Sequence, residues 1–179
     1  MSAIDGDLRE VGARLRRMRE ERGLSLSELA RRAGVGKATL SGVETGVRNP
    51  TLDTLWAITA QLGVPIATIL GTPAESVVMR GEAVVATLLE VFEDEGVTYE
   101  LYRVRVPPGG TQTSPAHHEG VTEHITVFTG TLSAGPLDSP QVAGPGGYLT
   151  WRSDVPHGYT AVGAEEVLAS LLIRYPATR

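Results

Sequence analysis

Cysteine is absent from this chain of 179 residues, and its absence excludes several kinds of site. Disulfides, thiolate metal sites and cysteine nucleophiles all need the missing side chain, and nothing in the composition suggests secretion. Long apolar runs are missing too, because no stretch approaches the roughly 18 residues that a membrane helix needs. The first residues lack the basic start and apolar core of a signal peptide. We therefore expect a cytoplasmic protein without a membrane partner.

Charge of both signs is present but is divided unevenly along the chain. Residues 1–71 contain 10 Lys or Arg against 8 Asp or Glu, a net charge of +2. Residues 72–179 contain 6 against 13, a net charge of −7. A basic first half suits contact with a polyanion, whereas an acidic second half does not.

Apolar residues at helical spacing predict five short helices in the first half. Leu8, Val11 and Leu15 recur at intervals of three and four, as one face of a helix requires. A capping box that starts at Ser25 begins a second helix, and Gly34 supplies a tight turn after it. The remaining predicted helices cover about Gly36–Thr45, a stretch from Thr51 to Leu62, and a short segment that ends near Leu70.

The second half shows a period of two instead, which is typical of strands. Residues Val97–Val106 alternate throughout and are rich in β-forming side chains. Turns rich in proline and glycine punctuate this half, and many short strands with such turns indicate a sandwich or barrel. The other strand candidates are Val84–Phe92, Glu123–Phe128, Tyr148–Trp151, Tyr159–Val162 and Val167–Tyr175.

A short helix, a glycine turn and a second short helix form the helix-turn-helix of DNA-binding proteins. Around this unit, the motifs Gly23-Leu24-Ser25, Glu28-Leu29-Ala30, Ala33-Gly34-Val35 and Asn49-Pro50-Thr51 resemble the XRE family of phage-repressor-like helix-turn-helix proteins. The resemblance covers about residues 8–70. It implies a lambda-repressor-like domain of five helices, in which the third helix reads double-stranded DNA and Arg19 pairs with Glu44.

The resemblance assigns DNA contacts to the third helix and the loop after it. The implied base-facing residues are Lys37, Ala38, Ser41 and Gly42, and the implied phosphate neighbours are Thr39, Arg48 and Asn49. Two positions depart from the family pattern, since Leu26 replaces a common phosphate-binding glutamine and Gly42 replaces a long side chain. Lys37 is thus the long polar side chain aimed at the bases, and guanine is the commonest specific partner of such a cation.

Histidine and carboxylate residues cluster in the second half. The four histidines of the chain are His117, His118, His124 and His157. Two histidines and one carboxylate form a recognised open metal site. The spacings Glu123-x6-Gly130 and Gly146-x10-His157 resemble the two motifs of the cupin family over roughly residues 97–175, although Arg152, Asp154 and Ala161 depart from the second motif.

The two resemblances together imply a two-domain α plus β protein. Its first domain is the five-helix helix-turn-helix unit, and its second is a cupin barrel, which is a jelly roll or double-stranded β-helix. The expected divisions are 8–71 for the DNA-binding domain, 72–82 for a linker and 83–179 for the cupin domain.

The metal ligands of this barrel stay open at this point. A three-residue spacer before Glu123 places His117 and Glu119 at the paired-histidine positions of the family motif, whereas a four-residue spacer favours His118. The candidate ligands are therefore His117 or His118 with Glu123 and His157, for one divalent metal among Zn, Ni, Fe and Mn. Otherwise the same groups hydrogen-bond an organic ligand without a metal. On a strand, His124 should face away from Glu123.

The order of the two domains resembles that of XRE–cupin transcription regulators, which implies a sequence-specific regulator and not an enzyme. We expect a homodimer on a palindromic operator, and a small-molecule effector in the barrel that changes operator affinity. The candidate effector-binding side chains are Tyr102, Phe128, Trp151 and Tyr159. The alternative is a metal-dependent cupin oxygenase or isomerase that carries a DNA-binding domain.

Overall fold

The computed structural model describes residues 8–71 and 77–176. Its first part contains the five predicted helices. They are α1 (Leu8–Glu21), α2 (Leu26–Arg32), α3 (Lys37–Glu44), α4 (Leu52–Leu62) and α5 (Ile66–Leu70). No helix in the described part of the chain is long and apolar enough to cross a membrane.

Side-chain caps explain where α2 and α4 begin. Ser25 accepts a hydrogen bond from the backbone N–H of Glu28 at 3.1 Å, and Thr51 caps α4 in the same way at 3.2 Å. Such caps satisfy N–H groups that have no partner within the helix. The capping box is half formed, because the carboxylate of Glu28 binds Arg31 and Arg32.

Helices α1 and α3 cross at close range because Gly12 has no side chain. A Cβ at this position would lie 2.4 Å from the carbonyl oxygen of Val43. Beside the crossing, the guanidinium of Arg19 binds both oxygens of Glu44, at 2.7 and 2.9 Å. The two side chains are 10% and 6% exposed. This almost buried pair, which the family resemblance implies, fixes α3 against α1.

The second part of the chain folds into two antiparallel sheets. Its strands are β1 (Val77–Arg80), β2 (Val85–Asp94), β3 (Val97–Val106), β4 (Thr111–Ser114), β5 (Thr122–Thr129), β6 (Thr131–Pro136), β7 (Gln141–Ala143), β8 (Tyr148–Arg152), β9 (His157–Val162) and β10 (Val167–Tyr175). One sheet has the order β1-β2-β3-β10-β5-β8, and the other has the order β4-β9-β6-β7. Every second residue of β10, from Val167 to Tyr175, is buried. This jelly-roll barrel confirms the predicted fold class.

The structure contains the six predicted strands and four that the pattern does not predict. Strands β4, β6 and β7 are short, and each contains at most one bulky apolar side chain. Strand β1 falls in the stretch 72–82 that we predict as a linker. Val77–Arg80 pair with β2, so this segment belongs to the barrel, and residues 72–76 of the linker lie outside the described residues.

Helices α4 and α5 dock on the barrel through polar contacts. The side-chain amide of Gln112 in β4 donates to Asp53 of α4 at 2.9 Å, and its oxygen accepts from the backbone N–H of Val84 at 2.8 Å. At the start of α5, the backbone N–H of Ala67 donates to the buried carboxylate of Glu100 at 2.6 Å. The helical half is therefore joined to the barrel by its last two helices.

Candidate functional site

Three buried side chains meet at one point inside the barrel. Nε2 of His117 lies 3.0 Å from Oε1 of Glu123, and Nε2 of His157 lies 3.1 Å from the same oxygen. The candidate ligand atoms of these residues all lie within 4.8 Å of one another. We call them the His–Glu–His group. Of the two histidines that the sequence leaves open, the structure brings His117 to this group.

Each member of the group comes from a different element. Glu123 is the second residue of β5, His157 is the first residue of β9, and His117 lies in the loop before β5. The backbone N–H of His117 donates to the carbonyl of Ser153 at 2.9 Å, which holds this loop against the end of β8. Nδ1 of His157 lies 2.9 Å from the carbonyl oxygen of Val155. A carbonyl only accepts, so Nδ1 carries the proton and Nε2 faces Glu123.

The charges within the group act on one another. Burial acts to raise the pKa of Glu123, but the charge of His157 and the hydrogen bond with His117 outweigh it and hold that pKa well below its usual range. Burial acts to lower the pKa of His157, and the Glu123 carboxylate outweighs it and raises that pKa. The hydroxyl of Tyr159 donates to the second oxygen of Glu123. The carboxylate is therefore ionised and held in one orientation.

This set of donors fits a divalent metal ion. Nε2 of His157 is buried without a hydrogen bond, because its 3.1 Å approach to Glu123 lacks hydrogen-bond geometry. This imidazole nitrogen lies beside a carboxylate and has no hydrogen-bond partner, so a metal ion that displaces its proton can bind there. Two imidazoles and one carboxylate suit Zn, Fe, Mn and Ni.

The helical half supplies part of the wall around the group. Trp56 of α4 is fully buried, and its ring lies edge-on to that of His117 with the centroids 5.7 Å apart. On the barrel side, the ring of Trp151 lies 6.0 Å from that of His157. The chain has two tryptophans, so each half contributes one of them to the same site.

Three of the four predicted effector-binding side chains are buried in this region. Trp151 and Tyr159 both have ring contacts with His157, at 6.0 and 5.7 Å between centroids. Tyr102 is buried as well, and its hydroxyl donates to Glu100 at 2.7 Å. Their inward orientation follows from the alternation of β8, β9 and β3.

Two predicted site residues lie elsewhere. Phe128 is 52% exposed, because it follows the inward-facing Val127 in β5 and points away from the barrel interior. His118 is not part of the His–Glu–His group, because it faces a different direction from its neighbour His117 in the loop. Nδ1 of His118 lies 3.2 Å from the carbonyl oxygen of Glu119. Glu119, which the three-residue spacer places at the second paired-histidine position, is exposed. His124 faces away from the group and contacts the Tyr148 hydroxyl at 2.6 Å, as the alternation predicts.

The sequence pattern does not predict the contributions of Trp56 and Glu100 to this region. Trp56 occupies an apolar position of α4, so its spacing alone marks it as helical core and gives no sign of the barrel contact. Glu100 does carry a signal, because it shares the inward face of β3 with Tyr102 and Val104. Burial raises the pKa of Glu100, against the opposing hydrogen bonds from the Ala67 N–H and the Tyr102 hydroxyl.

A second candidate site lies on the outer side of α3. Leu40 and Val43 bury the inner side of this helix. The predicted DNA-contact residues remain accessible to different degrees: Lys37, Ala38 and Arg48 are exposed, and Thr39, Ser41, Gly42 and Asn49 are partly exposed. The surface that a DNA groove would receive is therefore not covered by the rest of the described chain.

Arg48 lies across Gly42 on this surface. A Cβ on Gly42 would come within 2.9 Å of the Cβ of Arg48, so the missing side chain makes room for the arginine stem. The backbone N–H groups of Val47 and Arg48 both donate to the carbonyl of Gly42 at 2.9 Å. The exposed Arg48 therefore fills the place that a long side chain at position 42 would occupy.

The chain is similar in sequence to known helix-turn-helix regulators. The family model described as Helix-turn-helix (HTH_3) matches residues 15–69. The chain is 31% identical to the HTH-type transcriptional regulator SutR of Escherichia coli (strain K12) over 172 residues, which cover 94% of this chain and 96% of SutR. It is 40% identical over 67 residues to the HTH-type transcriptional regulator SinR of Bacillus subtilis (strain 168), which is 37% of this chain and 60% of SinR.

A solved structure is similar along nearly the whole chain. It is the crystal structure of an HTH_3 family transcriptional regulator from Vibrio cholerae, with a TM-score of 0.81 and 27% sequence identity. The similarity covers 95% of this chain and 97% of that chain. Like the similarity to SutR, it includes the helical half and the barrel together.

Proposed function

The chain belongs to the family of HTH-type transcriptional regulators that includes SutR, and we propose that a small effector in its barrel controls how it binds an operator. One observation carries this proposal: Trp56 of α4 packs on His117 of the candidate sensing site. An occupant of that site that favours one position of α4 shifts the protein toward that position. A coupling of about 1–3 kcal/mol changes affinity roughly 5–150-fold.

We assign DNA reading to α3 and the loop after it. Lys37 stands exposed at the first position of α3 and is the one lysine of the chain. Lysine or arginine contacts guanine in the major groove, and the position of Arg48 over Gly42 supports a second cation beside the base-facing residues. Ala38, Ser41 and Gly42 complete the proposed base-facing group, while Thr39 and Asn49 are assigned to phosphates.

We propose a homodimer on a palindromic operator, acting in the cytoplasm where a bacterial operator lies. Helix-turn-helix dimers read two half-sites about 34–36 Å apart, which is one turn of DNA. The barrel half is the proposed dimerisation unit, through its sheet edges or sheet faces. We keep the division between a DNA-binding domain ending near residue 71 and a barrel domain, with β1 added to the barrel.

We propose that His117, Glu123 and His157 hold one divalent metal. Such an ion would supply a Lewis-acid centre at which an effector atom is bound. The residues of this chain do the rest: Tyr159 orients the carboxylate of Glu123, Val155 fixes the tautomer of His157, and Trp56 shields the site from water. These roles are those of a binding site that takes up a ligand without transforming it.

A metal-dependent enzyme is the second candidate function, because a three-ligand set leaves coordination positions open. The surroundings favour a sensor. The nearby Glu100 is engaged by Ala67 and Tyr102, and Glu119 is exposed outside the group, so neither is placed as a free general base. Oxygen uptake by the iron-loaded chain, in the presence of candidate organic acids, would favour the enzyme.

The test of the proposed function uses the full chain and a library of random DNA duplexes. Selection should enrich a palindrome, and its affinity should fall steeply with salt because phosphate contacts release counterions. A scrambled duplex of the same composition is the control. No enrichment at low salt would contradict the proposal.

A further inference from the structure

Buried polar atoms without partners are concentrated at one place in the described chain. Five buried side-chain atoms lack a hydrogen bond, and they belong to Trp56, Ser114, Trp151, Ser153 and His157. Native proteins leave few such groups, because each unpaired buried donor is costly. A concentration of them therefore indicates an occupant that supplies the missing partners.

All of these residues belong to or touch the His–Glu–His group. Trp56 has its ring contact with His117, and Ser153 accepts the backbone N–H of His117. On the other side, Ser114 is the cross-strand partner of His157, and Trp151 is the cross-strand partner of Glu123. The residues that carry the unpaired atoms are therefore all neighbours of the His–Glu–His group.

The four unpaired groups outside the His–Glu–His group, which belong to Trp56, Ser114, Trp151 and Ser153, can all donate a hydrogen bond. Each indole Nε1 only donates, and each serine hydroxyl has a proton to donate. The two indoles therefore lack acceptor atoms, and the two serines can donate to the same acceptors. A divalent metal, two neutral imidazoles and the Glu123 carboxylate leave one positive charge, and a buried charge needs a compensating one.

We propose that the occupant of this site is a small oxyanion, and that the DNA-binding half holds it directly through the indole N–H of Trp56. The inference rests on the proposed function, because it names the ligand class of the proposed sensing site. It also makes α4 part of the binding site. An anion held by Trp56 and by the barrel at once fixes the position of α4 relative to the His–Glu–His group.

The experiment titrates the zinc-loaded full chain and follows its tryptophan fluorescence, which reports from two rings that both lie at the site. The probes are acetate, phosphate and sulfate, which separate a carboxylate site from a phosphate or sulfate site. Acetamide and tetramethylammonium chloride are the neutral and cationic controls. Saturable binding of at least one oxyanion, with neither control binding, is expected.

Trp56→Phe tests the contact itself, because it keeps an aromatic ring and removes the N–H. A hydrogen bond to a charged group predicts at least about tenfold weaker oxyanion binding. Tyr148→Phe is the matched control, since it removes a polar group from an aromatic ring on the outer face, and its affinity should equal that of the wild type. Ser114→Ala and Ser153→Ala remove one hydroxyl each and should weaken binding several-fold, which keeps the test open if Trp56→Phe folds poorly.

Three results would overturn the inference: no oxyanion binds at tens of millimolar, acetamide binds as well as acetate, or the folded Trp56→Phe and serine variants bind as tightly as the wild type. The same samples are assayed for binding to the selected palindrome. DNA binding without oxyanion binding overturns this inference alone, and a palindrome that is never bound overturns the proposed function instead.

Discussion

The helical half and the barrel half arrange their functional side chains in opposite ways. In the helical half, the proposed DNA contacts lie on the surface of α3, and the almost buried pair Arg19–Glu44 is fully hydrogen-bonded. In the barrel half, the proposed ligands are buried and are surrounded by donors without partners. The proposed DNA-reading surface is thus finished when the chain folds, whereas the proposed occupant would complete the barrel interior. Substitutions on α3 should change function alone, and substitutions inside the barrel should change binding and stability together.

The largest effect on the free energy of unfolding is expected at the Arg19–Glu44 pair of the helical half. Arg19→Ala leaves Glu44 almost buried without its partner, which should lower the free energy of unfolding by about 3–5 kcal/mol. Urea unfolding of the full chain measures it. Arg16→Ala, which breaks an exposed pair with Glu20 on the same helix, is the control and should change little. Equal effects of the two variants would contradict the contrast between the halves.

The second prediction concerns the buried ligands of the barrel. His157→Ala removes one of the three proposed metal ligands and should weaken zinc binding by about 100-fold or more, since even residues beyond the ligands cost about 10–100-fold. Competition with a chelator and elemental analysis measure the loss. His124→Ala, on the outer face of the same barrel, should bind zinc normally. DNA binding without effector should survive in both variants, and stoichiometric zinc in His157→Ala would remove this residue from the site.

The third prediction tests the surface of α3. Lys37→Ala should cost about 1–3 kcal/mol and relax the base preference at one position of the operator. Binding to a panel of single-base operator variants measures this, and the melting temperature should not change. Arg31→Ala is the control, because Arg31 pairs with Glu28 on the surface of α2. A uniform loss across all operator variants would make Lys37 a phosphate contact instead.

The smallest effect is expected in the pH dependence of stability. Burial raises the pKa of Glu100, so the folded chain holds this proton more tightly than the unfolded chain. The stabilising contribution is present below the ordinary carboxyl pKa of 4.5 and is lost as pH rises through the raised value. In Glu100→Gln, the melting temperature should therefore change less with pH over that window. At neutral pH, the melting temperature of this variant should be higher than that of the wild type. Glu166→Gln, on the surface, should keep the wild-type profile.

Local signals in the sequence account for most of the helical half. Helix caps such as Ser25 and the periodic apolar residues predict every helix, and the family resemblance supplies the Arg19–Glu44 pair. The barrel is less predictable, because β4 and its short neighbours contain few bulky apolar side chains. These short strands form because neighbouring strands pair with them. Such pairing depends on the whole sheet and leaves no signal in the local sequence.

The candidate site shows the same limit. Glu123 and His157 follow from their spacing, but the sequence leaves His117 and His118 equivalent. The structure separates them through a backbone hydrogen bond between His117 and Ser153, which are distant in the sequence. The contact of Trp56 has no local signal at all, because a residue that packs within its own domain and one that packs on another domain look alike in a helical pattern.

The Gln112 side chain bears on how this protein can be engineered. It joins Asp53 of α4 to the backbone of Val84. The Gln112 side chain has room because Gly81 has no Cβ, and a Cβ at that position would lie 2.3 Å from the Gln112 side-chain oxygen. A helix-turn-helix moved from this chain onto a foreign sensor would expose Trp56 and remove the Gln112 partner of Asp53. A chimeric repressor therefore needs either a redesigned α4 or the transplantation of both halves as one piece.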